Sequence, residues 1–432
     1  MISKRVFSPR TAGRDGPRSG ILGLRYHMTN SPVSFEDIEA AAKRIAGHVV
    51  NTPCPASIPL SEATGMQIYC KLEHLQRTGS FKERGARNAL LLLPPEKQKR
   101  GVIAASAGNH ALGVAYHAQT LNIPTTVVMP LFAPLTKVVN CRKLGAKVLL
   151  EGANISEARA RADEIAQAEG LTYINGFDDP AIIAGQGTIG LEIAAQVPDV
   201  DAVLVPIGGG GLIAGIALAL KKLKPNVRIF GVEPKRAASF TAALAAGHPV
   251  QIEMKPTLAD GLSVPKVGEN AFRIARELVE KTVLVGEHDL ALAVVRLMEL
   301  EKAVVEGAGA APLAACLAGL LPELAGKRVV LPLCGGNIDL NTLGRVIERG
   351  LASDGRLCRF TATISDRPGG LARFAGLIAE EGASVVDVAH DRAFADEDIN
   401  TVTVHCVIET RDAAHLRQLK DRLNKEGFEV RD

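Results

Sequence analysis

Lys82 lies in the segment Thr78-Gly79-Ser80-Phe81-Lys82-Glu83-Arg84-Gly85. Ser80 and Glu83 have capping-box spacing, which predicts a helix with Lys82 at its second position. A lysine there meets the positive end of the helix dipole, which disfavours its ammonium. Such placement yields an amine that is nucleophilic near neutral pH, although an exposed lysine on an ordinary helix fits the same residues. Ser106-Ala107-Gly108-Asn109-His110-Ala111 follows the run Val102–Ala105. Small residues between a strand and a helix leave N–H groups for an anion, and Asn109 adds an amide for a polar ligand group. A structural turn is the plain alternative. Gly208-Gly209-Gly210-Gly211-Leu212 falls between a strand over 202–207 and a helix over 212–223, where glycines let the backbone wrap a phosphate. The pattern Gly209-x-Gly211-x-x-Ala214, with Glu233 ending the next strand, also fits a dinucleotide fingerprint, so an NAD-dependent dehydrogenase stays open. Leu333-Cys334-Gly335-Gly336-Asn337 ends a strand, placing Cys334 either at a ligand or inside a packed sheet.

Other chemistries are excluded by pattern. None of the ten histidines forms a His-Glu-x-x-His pair, and no Gly-x-x-x-x-Gly-Lys-Ser/Thr occurs. A zinc protease and a P-loop ATPase are thereby set aside.

The elements that must position these loops alternate in type. Short Val/Ile/Leu runs predict strands at about 67–73, 101–105, 124–129, 147–150, 202–207, 228–233 and 328–333, most followed by Gly or Ser and a helical stretch. That alternation predicts an α/β fold with parallel-rich sheets covered on both faces. Ser34-Phe35-Glu36-Asp37 predicts a capped helix running to about Gly47. After Gly350 the order changes. A linker at 351–356 precedes strand 357–365, helix 368–380, strands 383–390 and 400–409, helix 412–425 and strand 427–431. This is the ferredoxin-like βαββαβ order.

The chain has 432 residues, with 50 Lys+Arg against 47 Asp+Glu and a formal charge of +3. Six basic residues against Asp15 give residues 1–27 a charge of +5, leaving the remainder at −2. Residues 1–27 are expected to be a disordered or mis-started extension. A near-neutral body with 4% aromatic residues argues against nucleic-acid binding. Seven scattered cysteines without a Cys-x-x-Cys favour a reducing, cytoplasmic setting. Ala202–Leu220 is uncharged and long enough to span a bilayer, but Pro206 and four glycines interrupt it. No membrane association is expected.

Together and in order, Ser80-Phe81-Lys82-x-Arg84-Gly85-Ala86, Ser106–His110, Gly208–Leu212 and Cys334–Asn337 resemble pyridoxal-phosphate enzymes of the tryptophan-synthase β fold type (fold type II). The resemblance is specifically to threonine dehydratases (threonine ammonia-lyases) and covers about 28–350. It implies a two-lobed unit with a smaller lobe, about 76–178, inserted in the larger. Residues 357–432 resemble an ACT domain, with Asp366-Arg367-Pro368-Gly369-Gly370-Leu371 as its loop-to-helix signature.

By this resemblance the cofactor is pyridoxal 5'-phosphate. Lys82 would form the internal aldimine and then act as the base at Cα, with Phe81 packed on the ring. Asn109 would bond the 3'-oxygen, and Gly208, Gly209, Gly210, Gly211 and Leu212 would hold the phosphate. Ser106, Ala107, Gly108, Asn109 and His110 would take the substrate carboxylate. Cys334 would sit at the pyridine nitrogen, where the family usually has Ser. A neutral group there weakens the electron sink and suits β-elimination. The implied reaction is L-threonine to 2-oxobutanoate and ammonia, with L-serine as a slower substrate. Serine racemase, the close alternative, carries a second Ser where Ala107 stands. Racemases also bind a divalent cation through a Glu matching Glu233 and an Asp where this chain has Ser239, so no divalent metal is expected here. A monovalent ion near Glu233 stays open. The resemblance further implies a homodimer or homotetramer, and a small amino-acid effector at Asp366, Gly369, Gly370 and Leu371.

Overall fold

A computed structural model describes residues 31–391 and 400–431; the expected extension at 1–27 lies outside the described residues. The Ser34 capping box forms as read. Ser34 Oγ accepts from the Asp37 backbone, the Asp37 carboxylate takes the Ser34 N–H, and helix Phe35–Ile45 follows.

Six strands form the larger sheet, in the order Ala56–Ser57, Gln67–Lys71, Arg328–Pro332, Ala202–Pro206, Arg228–Pro234, Lys281–Val285. Only the first pair is antiparallel. Ala202–Pro206 is buried at every residue, as a strand covered on both faces requires. A second, four-stranded parallel sheet orders Lys147–Leu150, Thr125–Met129, Val102–Ala105 and Thr172–Tyr173, and builds the smaller lobe. The uncharged stretch Ala202–Leu220 resolves into strand, glycine loop and helix Gly211–Leu223. Among the described residues no helix is long and apolar enough to cross a membrane.

Three helices fix where Lys82 lies. Helix Lys82–Leu91 packs on Pro180–Gln196, which packs on Gly211–Leu223. A Cβ on Gly185 would stand 2.7 Å from the Arg84 carbonyl oxygen, and one on Gly215 would stand 2.5 Å from that of Ile183. Glycine at these two crossings lets backbone meet backbone, so the helix bearing Lys82 seats closely on the larger lobe.

The C-terminal residues form the expected βαββαβ unit, an antiparallel sheet ordered Ser384–Asp391, Thr401–Glu409, Leu357–Ser365, Glu429–Arg431. Alternate residues of Leu357–Ser365 and Thr401–Glu409 are buried under helices Gly370–Glu380 and Ala413–Lys425. Phe374 sits at the centre, 6.3 Å from Phe360 and 5.5 Å from Phe428 between ring centroids. The linker is shorter than expected, because helix Leu340–Ser353 runs past Gly350. Asp354 and Arg356 then join Arg296 and Glu299 of helix Glu287–Glu301 in an ion-pair network.

Candidate active site

Three of the four motifs, those of Lys82, Asn109 and Cys334, meet at the carboxyl ends of the strands, where open α/β sheets bind ligands. Phe81 N–H donates to the Cys334 carbonyl (3.0 Å), Gly336 N–H donates to that of Gly79 (2.9 Å), and Ser80 pairs with Gly335 as an antiparallel bridge. This pairing corrects the expected capping box. Ser80 is held as strand, its Oγ is buried without a partner, and Glu83 reaches back to the Thr78 N–H instead. The helix therefore starts at Lys82, capped by the Phe81 backbone alone.

A cavity of about 600 Å³ opens between the lobes. Phe81, Lys82, Ser106, Ala107, Gly108, Asn109, His110 and Cys334 all line it. Burial lowers the Lys82 amine to about 8, against smaller opposing pulls from Cys334 and Glu306. Its Nζ donates to the Gly176 carbonyl at 2.6 Å and stands 5.2 Å from the Phe81 ring centroid. Opposite, helix Asn109–Thr120 begins without a side-chain cap, so its first N–H groups keep capacity for an anion. Burial pushes the Cys334 thiol well above its usual range, and Sγ donates to the Pro332 carbonyl at 3.2 Å. His110 is held down to about 4, chiefly by burial, and its Nε2 is bonded to the Ile174 carbonyl at 2.9 Å. It borders the cavity as a neutral, anchored ring.

Gly208, Gly209, Gly210, Gly211 and Leu212 are not in the cavity wall. They are buried behind Phe177, which does line it, and a side chain on Gly209 or Gly211 would collide with Phe177. The glycines serve a close backbone approach there, and helix Gly211–Leu223 also starts without a side-chain cap. Asp366, Gly369, Gly370 and Leu371 lie together at the turn into helix Gly370–Glu380 of the C-terminal unit, and none borders the cavity. The Glu233 carboxylate accepts from Phe240 N (2.7 Å), Thr241 N (2.9 Å) and Thr241 Oγ1 (2.6 Å), capping helix Ser239–Ala246. Among the described residues no group of three His, Cys, Asp or Glu is placed to hold a metal ion.

One residue of the wall escaped the reading of the motifs. Glu306 lines the cavity at 5% exposure and accepts from Asn109 Nδ2 at 2.6 Å. Burial and nearby Asp260 raise its carboxyl to about 7, against the pull of Lys137. A signal existed. Glu306 is the one charged residue between Ala303 and Pro322, and a charge in so apolar a run is a buried charge.

A buried amine lowered toward neutrality, sharing a cleft between two lobes with an uncapped helix start, is the arrangement of an α/β enzyme with a candidate nucleophilic lysine. Residues 45–335 match the family described as pyridoxal-phosphate dependent enzymes. The L-threonine ammonia-lyase of Thermotoga maritima is 44% identical over 399 residues, covering 92% of this chain and 99% of that protein. The processed form of threonine deaminase isoform 2 from Solanum lycopersicum superposes with a TM-score of 0.69 at 40% identity, over 73% of this chain and 91% of that one. Maize serine racemase does so at 0.70 and 34%, over 74% and 98%. The chain belongs to the pyridoxal-phosphate dependent enzyme family, and pyridoxal phosphate is its cofactor. The residues fit that group: a buried amine able to condense with an aldehyde, an aromatic ring beside it, a neutral thiol and amide in the wall, and an uncapped helix start for an anionic group.

Proposed function

We propose that this enzyme converts L-threonine to 2-oxobutanoate and ammonia, with L-serine as a slower substrate. The observation that carries the reading is the Lys82 amine facing the uncapped Ser106–Asn109 helix start within one cavity. The names of its relatives from Thermotoga maritima and Solanum lycopersicum support it. Bound pyridoxal phosphate supplies an electron sink conjugated to the substrate α-carbon. Lys82 would hold it and would take the α-proton, a role suited to an amine lowered by burial. The N–H groups opening helix Asn109–Thr120 receive the substrate carboxylate. Cys334, kept as a thiol, would present no anion to the bound cofactor. The start of helix Gly211–Leu223, at Gly208–Leu212, is assigned to the phosphate.

We assign the C-terminal unit to the ACT class, with a small amino-acid effector at the turn Asp366–Leu371, and the protein to a cytoplasmic homo-oligomer. The βαββαβ order and the motif support the first assignment.

The test is oxo-acid and ammonia release from L-threonine, with visible spectra before and after borohydride. Lys82→Ala is expected to lose the visible chromophore and all measurable turnover; turnover retained by that variant rejects the assignment. The likeness to maize serine racemase supports racemisation as a second reading. Ala107 can neither give nor take a proton, which favours elimination. Ala107→Ser is expected to raise D-serine formation several-fold in a chiral amino-acid assay, and an unchanged rate contradicts this role for Ala107.

A further inference from the structure

Asn109 is held at both ends of its amide. Its Nδ2 donates to Glu306 Oε1 at 2.6 Å, and its Oδ1 accepts from Asn337 Nδ2 at 2.9 Å. Asn337 is itself fixed, because Nδ2 also donates to the Thr78 carbonyl at 2.7 Å. A primary amide has two N–H hydrogens. With one given to Glu306, a single hydrogen remains for whatever the cavity holds. The chemistry of the pair also decides which way round the amide lies. The Thr78 carbonyl only accepts, so the Asn337 nitrogen faces it and meets the Asn109 oxygen, which turns the Asn109 nitrogen toward Glu306.

The place for this contact is built into the backbone. Glu306 N–H donates to the Gly335 carbonyl at 2.9 Å, tying the acid to the Cys334–Asn337 strap. A Cβ on Gly335 would collide with Glu306 Oε1 and come within 3.0 Å of Asn109 Nδ2. Glycine at 335 therefore leaves the room in which carboxylate and amide meet. No Lys or Arg hydrogen-bonds to Glu306 among the described residues; Lys137 acts on it only through space and is itself paired to Asp260 at 3.3 Å. A buried acid without a cationic partner is costly to keep, and its retention in a cavity wall needs a use.

We propose that Glu306 is a positioning residue of this site: it orients the Asn109 amide so that the remaining hydrogen is presented to the bound cofactor. The proposal rests on the cavity being the pyridoxal-phosphate site, and it makes Glu306 act through Asn109 alone.

The test is a double-mutant cycle read by equilibrium dialysis of pyridoxal phosphate against the full-length cofactor-free protein, with no assay of turnover. Glu306→Leu removes the acceptor at similar volume and is expected to weaken binding about tenfold, the loss of one hydrogen bond. Glu306→Gln keeps an acceptor oxygen and is expected to stay within about twofold of the parent. Asn109→Ala is expected to weaken binding, and adding Glu306→Leu to it should change nothing more. Should the leucine variant not fold, Glu306→Ala carries the same cycle. Undiminished binding by the leucine or alanine variant overturns the proposal, as does a double variant whose losses add. Failure of the parent to take up pyridoxal phosphate condemns the cofactor assignment instead, so the two failures are separable.

Discussion

Glu73 and Glu306 are both buried carboxyls, and the two regions that hold them differ in what faces the charge. Glu73 belongs to a closed cluster under the helix that carries Lys82. Arg84 grips it with Nε and Nη2, both at 2.8 Å, and grips Glu192 with Nη1 at 2.6 Å and Nη2 at 2.9 Å. Lys71 meets Glu192 at 2.5 Å, so two cations balance two anions. Burial pushes the Glu73 carboxyl up, but the Arg84 guanidinium more than reverses this and leaves it below the usual range. Glu306 meets an amide and no bonded cation, so burial prevails and the carboxyl rises to about 7. Similar burial thus leaves one carboxyl lowered and the other raised. The first supports the helix bearing Lys82; the second stands in the cavity wall that Lys82 also lines.

The harshest way to break the contrast is to remove the guanidinium. Arg84→Met leaves Glu73 and Glu192 with Lys71 alone, and is expected to cost about 3–5 kcal/mol in urea unfolding at pH 7. A loss below about 1 kcal/mol would mean the cluster is not the anchor described.

Opposite signs are expected from the same substitution at the two acids. With its folded value above the unfolded one, Glu306 is protonated in the native state between pH 4.5 and 7 while the unfolded chain is ionised. Native stability therefore falls as pH rises through that window. Glu306→Gln in the cofactor-free protein should be near neutral at pH 4.5 and stabilising by roughly 3 kcal/mol at pH 8, as an upper figure. Glu73, lowered on folding, contributes stability present above its unfolded value and lost as pH falls through the folded one. Glu73→Gln should thus destabilise at pH 7 and blunt the acid limb of the urea profile. Two profiles of the same sign would show that the guanidinium does not distinguish the sites.

The motifs made one of these regions legible in advance and left the other dark. Lys82, Asn109 and Cys334 sit in glycine- and serine-rich strand ends whose local pattern betrays a loop at a ligand, and the structure brings them to one cavity. Strands over 102–105, 125–129 and 202–206 were readable because fully covered strands are continuous apolar runs. The pairs Ala56–Ser57 and Thr172–Tyr173 are too short to carry a period, and Lys281–Val285 is a partly exposed edge strand. Glu306 and Asn109 are 197 residues apart, so no local pattern couples them. Ser80 shows the limit from the other side. Its spacing to Glu83 reads as a cap, but pairing with Gly335, distant in the chain, takes Ser80 into a strand.

The finest test leaves both acids in place and changes only the field around Glu306. Lys137 and Asp260 line the cavity from the two lobes and pull Glu306 in opposite directions. Removing the lysine with Lys137→Met should raise the Glu306 midpoint, because an attraction for the anion is lost. Removing the acid with Asp260→Asn should lower it, because a repulsion is lost. Asp260 is 63% exposed, so solvent screens its share and each shift should be below about one pH unit. The pH dependence of urea stability in the cofactor-free variants reads both midpoints. Glu73, whose partners lie within bonding distance, should keep its acid limb unchanged in either variant. Midpoints moving in the same direction, or an acid limb that moves with them, would show that the two carboxyls share one field.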